Sequence, residues 1–228
     1  MRNRIFALLP VLFLAVSLKV SAQTLPAGQI HSMRDLPQVD QLDSAAQGGA
    51  DHFRRLLTDK NAPGLGFASA AEGSSAQLGT PIRHYFVRLD NLKSYSGKDP
   101  KGLLENYSTV TYPLMSGGEA KSGVGLVFKN SQWRVASLGE SSMVKRWHGL
   151  RRQHSQNYGV DESAFFTVRV SALNAEFMGY YNGQSQLILI PEVDDKRWGI
   201  KQGEAQPADQ LFLKLVPKAL EQNDKGAS

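Results

Sequence analysis

Six short runs rich in β-branched and aromatic residues mark the chain at 82–89, 107–112, 123–129, 132–138, 165–173 and 186–190. Runs of this length, bounded by Gly, Pro, Asn and Ser, fit strands, and Asn130-Ser131 joins two of them as a hairpin turn. The predicted fold is therefore α+β: a mainly antiparallel sheet with two or three packed helices.

The helical signals are fewer. A helix over 50–60 places Phe53, Leu56 and Leu57 on one face; Gly48-Gly49 argues against an earlier start, and Asn61-Ala62-Pro63-Gly64 ends it. Asp99-Pro100 supplies a cap and a first-turn proline for a short helix carrying Leu103 and Leu104. Ser141 or Ser142 can cap a longer helix reaching Tyr158, on which Met143, Trp147, Leu150, His154 and Tyr158 form a stripe. Pro207 opens a last helix through Leu211, Phe212 and Leu215, which Pro217 kinks or stops.

The chain divides into three parts. Arg2 and Arg4, an apolar run from Ile5 to Leu18 and the small-residue site Val20-Ser21-Ala22 read as a signal peptide over 1–22, cleaved near Ala22. The run is too short to span a bilayer, so the mature chain is expected to be soluble, with no transmembrane segment, in the periplasm or secreted. Residues 23–79 read as an N-terminal extension with one helix and an Ala, Ser and Gly-rich linker, and 80–228 as the α+β domain. Val87-Arg88-Leu89 with Leu92 resembles Val168-Arg169-Val170 with Leu173, and Trp133 before Gly139-Glu140 resembles Trp198 before Gly203-Glu204. These echoes raise the expectation of two similar strand-rich halves.

Charge and cysteine content exclude several functions. The 228 residues carry a net charge of +5, but the leader removes Arg2, Arg4 and Lys19, leaving 23 basic against 21 acidic residues. A net +2 is no nucleic-acid signature, and no nucleic-acid partner is expected. Without Cys there is no disulfide framework, thiolate zinc site or Cys nucleophile. The five histidines, at 31, 52, 84, 148 and 154, are scattered, and neither a metal nor a cofactor is expected.

Ser142-Met143-Val144-Lys145, Ser155-Gln156-Asn157 and Lys121-Ser122-Gly123 mimic the three boxes of penicillin-binding enzymes. Their order is wrong, because Lys121 precedes Ser142, so Ser142 reads as a helix cap and Lys145 as a solvated side chain. Asp161-Glu162 and Asp194-Asp195 are adjacent acids that point apart and fit turns. The segment 177–183, Phe-Met-Gly-Tyr-Tyr-Asn-Gly, reads as an aromatic turn folded back on the core.

The largest charge asymmetry is the helix carrying Lys145, Arg146, Arg151 and Arg152 with no acid beside them. Arginine forks suit carboxylate and phosphate, so this face is the expected contact for an anionic envelope component or a partner protein. The leading expectation is an exported, soluble, non-catalytic binding protein, without enzyme activity. The alternatives are a small periplasmic hydrolase acting on a glycan, ester or peptide, and a structural homodimer.

Overall fold

The computed structural model describes residues 36–222 together with Met33; the segment 1–22, read above as a signal peptide, lies outside the described residues. Among them nine strands form one sheet: β1 (Gln77–Leu78), β2 (Ile82–Phe86), β3 (Glu105–Ser116), β4 (Glu119–Lys129), β5 (Gln132–Gly139), β6 (Phe166–Val170), β7 (Ala175–Tyr181), β8 (Leu187–Pro191) and β9 (Gln206–Pro207). The order is β5-β4-β3-β2-β6-β7-β8-β9, with β1 added to β3. Every pairing is antiparallel except that of the two central strands, β2 and β6, which run parallel. Around the sheet lie α1 (Leu42–Leu56), α2 (Ala70–Ser75), α3 (Leu89–Lys93), α4 (Ser141–Tyr158) and α5 (Ala208–Glu221). This is the expected α+β architecture.

Alternation along the strands gives the sheet two apolar faces. On one, Val110, Leu114, Val124 and Leu126 pack under Ala46, Ala50 and Phe53 of α1. Farther along it Val168, Phe177, Leu187 and Leu189 pack under Leu211, Phe212 and Leu215 of α5. On the other face Ile82, Met178, Tyr180, Ile188 and Ile190 bury Val144, Trp147 and Leu150 of α4. Each fully buried side chain of this size contributes about 1.5–3 kcal/mol, so α4 is held by a core of its own.

The order of elements repeats: β2-β3-β4-β5-α4 is followed by β6-β7-β8-β9-α5. Each series starts at the centre, steps outward and ends in a helix, and the two helices lie on opposite faces. The sequence echoes do not map onto this repetition. Val87 follows the end of β2 whereas Val168 sits inside β6 opposite Tyr85. Trp133 lies in β5, and Trp198 sits in a turn between Asp195 and Ile200.

Turn chemistry explains the hairpins. Asn130 and Ser131 take φ of 54° and 59°, as a tight two-residue hairpin demands. Gly117-Gly118, at φ 60° and 78°, forms a second such turn and carries β3 on to Ser116, beyond the predicted end at 112. Pro217 stays inside α5, which continues to Glu221.

Other expectations need correction. α1 starts at Leu42 rather than at 50 and runs through Gly48-Gly49. A Cβ on Gly49 would lie 2.5 Å from Val124, so the glycine brings the helix close to the sheet and contact offsets its poor helix propensity. The stretch 68–80 is not merely a linker: it forms α2, capped by Ser69, and β1. Residues 177–181 are the inner part of β7, with Phe177, Met178 and Tyr180 buried. Neither Ser141 nor Ser142 caps α4. The cap is Glu140, in the left-handed region at φ 55°, and its side chain makes no capping bond.

Candidate functional site

Along β2 the pattern Ile82, His84, Phe86 directs a histidine to the α4 face at the centre of the sheet. Thr167 of β6 is its register partner, and Thr111 of β3 lies diagonally across on the other side. His84 Nδ1 is 2.6 Å from Thr167 Oγ1, and Nε2 is 2.8 Å from Thr111 Oγ1. In a neutral imidazole one nitrogen donates and the other accepts. One threonine therefore keeps its hydroxyl proton and the other keeps its lone pairs for a further partner. Burial pushes the imidazole down to about 4, so it is neutral at pH 7.

Above the histidine lies Trp147 of α4, ring centroids 5.2 Å apart. The indole N–H donates to Glu192 Oε1 at 2.7 Å, and Arg146 Nε donates to Oε2 at 3.4 Å. Glu192 follows β8 and is only 1% exposed. Its backbone N–H donates to the Glu176 carbonyl at 3.1 Å. Burial, and then the charge of Glu176, push its carboxyl up to about 7 against the opposing effects of Trp147 and Arg146.

These groups border a cavity of about 190 Å³ between α4 and the central strands. Thr109, Ser137, Glu140, Arg169 and Glu176 complete its polar lining, and Phe86, Met143 and Trp147 its apolar part. Gly125 forms part of the floor: a Cβ there would stand 2.1 Å from Ser137 Oγ. Thr109 Oγ1 is buried and has no hydrogen-bond partner among the described residues. No group of three or more His, Cys, Asp or Glu able to hold a metal occurs among the described residues.

Comparison with known proteins finds no matching family model, curated protein or solved structure. The functional reading therefore rests on this geometry.

The four cations singled out in the sequence do not form one surface. Arg146 reaches the cavity through Glu192, while Arg152 donates to Glu119 at 2.8 Å. Arg151 is 1% exposed; it donates to the Thr80 carbonyl at 3.1 Å and pairs with Glu162 at 3.4 Å. Lys145 is exposed. The buried side of α4 comprises Val144, Trp147, His148, Leu150, Arg151 and His154, so Arg151 and His148 lie inward and Tyr158, expected in the stripe, is exposed. Arg151→Ala is expected to cost about 2 kcal/mol in chemical denaturation, through lost packing and an unpaired Thr80 carbonyl. Lys145→Ala is expected to stay within about 0.5 kcal/mol. Equal costs would contradict this division.

His84, Thr111, Thr167 and Glu192 were not singled out from the sequence. The available signal was parity: His84 falls on the same side of its strand as Ile82 and Phe86.

Proposed function

We propose that the chain is an exported, non-catalytic protein that binds a small polar molecule in the cavity between α4 and the central strands. The carrying observation is convergence: His84, Thr111, Thr167 and Trp147 come from four separate elements, Glu192 from the segment after β8, and all meet at one hollow. The leader at 1–22 supports export, and an envelope component of low molecular weight is the proposed partner.

Size and chemistry narrow the reading. Drug-sized ligands occupy about 300–1,000 Å³, whereas an apolar hollow of about 150 Å³ takes up benzene. A cavity of about 190 Å³ suits a single ring or its equivalent. Hydrolysis by a hydroxyl nucleophile needs a base able to take up its proton at neutral pH, and burial, which holds the His84 imidazole down to about 4, makes it a weak one. This favours binding over the hydrolase alternative. The basic face of α4 has its arginines tied to Glu192, Glu162 and Glu119, which favours the cavity over that face.

A fragment screen read by NMR tests the proposal. Binders are expected to shift the signals of His84, Thr109 and the Trp147 indole, and Ser137→Phe, which crowds the cavity beside Gly125, is expected to weaken them at least tenfold. Shifts confined to the outer surface, or none, would reject it.

A further inference from the structure

We infer that the ligand is a small hydroxylated cation, of the amino-alcohol or amino-sugar class, its charge matched by Glu140 at the border of the cavity. This rests on the cavity reading above and adds the ligand's charge and polarity.

The argument begins with the charged groups. Three carboxyls border the hollow, Glu140, Glu176 and Glu192, and one cation, Arg169. Arg169 pairs with Glu176 at 3.1 Å, and Arg146, approaching from α4, is bonded to Glu192. His84 is the remaining titratable side chain of the lining and is neutral. An anion entering here would meet two guanidiniums already engaged by Glu176 and Glu192, and would lie against one further acid, Glu140. A cation would find Glu140 without a partner. Glu140 is exposed, and its side chain has neither a hydrogen bond nor an ion pair among the described residues, although its backbone is held at φ 55°. In a protein whose net charge is positive, acids are here concentrated at its polar hollow.

The hydroxyls supply the second half. Thr109, Thr111, Thr167 and Ser137 all line the cavity; Thr109 Oγ1 lacks a partner, and the pair on His84 retains one donor and one acceptor. Such a lining suits a ligand carrying several hydroxyls of its own. Phe86 and Trp147 add the apolar and aromatic surface against which a ring or a carbon backbone can lie.

Glucosamine, glucose and glucuronate share a ring and differ mainly in charge, so calorimetry with the three isolates the proposed preference. Glucosamine is expected to bind about fivefold more tightly than glucose, the scale of one exposed ion pair, and glucuronate most weakly. Glu140→Gln is expected to abolish most of that preference. Equal or reversed affinities across the three sugars overturn the charge assignment. If other fragments enter the cavity and none of the three sugars does, the ligand class is wrong and the site stands. If nothing enters it, the binding reading fails as well.

Discussion

Trp147→Ala will lower the unfolding free energy by about 3–5 kcal/mol, the range for removing a large aromatic side chain from a packed core. The residue is 4% exposed and sits in the cluster that attaches α4 to the sheet. Removing it takes away the ring against His84 and the N–H donated to Glu192, leaving a buried carboxyl short of one partner. Trp147→Phe separates these contributions. It keeps most of the apolar contact and loses only the donor, so a cost of about 1–2 kcal/mol is expected. Urea titrations should show the midpoint falling with an unchanged slope for both variants. A loss below about 1 kcal/mol for the alanine variant would mean that α4 does not depend on this contact.

Local rules were legible in the sequence and long-range meetings were not. Asn130-Ser131 specifies its own hairpin, because the residue types that tolerate positive φ stand where the turn needs them. Pro207 stands immediately before α5 for an equally local reason. Gly48-Gly49 misleads, since what holds a glycine in a helix is the nearness of Val124, a residue far along the chain. The same applies to the basic helix. Lys145 and Arg151 look alike as charges on one segment, yet Glu162 and Thr80 approach only Arg151. Glu192 lies 45 residues from the indole that gives it meaning, and nothing around Pro191 announces that meeting. His84 stands between the two kinds: its face could be read from strand parity, but Thr111 and Thr167 become its neighbours only because β3 and β6 flank β2.

The repeated order of elements places this site where the two series meet. β2 and β6 are the central strands and the one parallel pair, so side chains of both point to the same face at the same height. α4 ends the first series and crosses to that face, while α5 ends the second on the opposite face. The hollow beneath α4 is thus lined by both series, with His84 from one and Thr167 and Glu192 from the other.

Two titratable groups of that hollow, one buried and one partly buried, will give the protein opposing pH dependences. The Glu192 carboxyl rises from its ordinary 4.5 to about 7, so the folded state binds its proton more tightly than the unfolded state does. Its contribution to stability is complete below 4.5 and is lost as pH climbs to 7, by about 3 kcal/mol at about 1.4 kcal/mol per pH unit. His84 falls from 6.5 to about 4, so here the unfolded state binds the proton more tightly. Its effect is a loss of stability on acidification from 6.5 to 4, at most about 3 kcal/mol. Between 4.5 and 6.5 the two slopes cancel, which hides both in the unaltered protein. Glu192→Gln removes one of them, so the stability of the unaltered protein minus that of the variant should fall by about 3 kcal/mol from pH 4 to pH 7.5. His84→Gln, which can still donate to one threonine and accept from the other, should give a difference that rises over pH 4 to 6.5. Using differences removes the contributions of His148 and His154, lowered by burial, and of Glu119, lowered by Arg152, which are common to all variants. Denaturation midpoints across this range check both signs. A flat difference for Glu192→Gln would mean that its carboxyl is solvated, and would remove the buried acid from the proposed site.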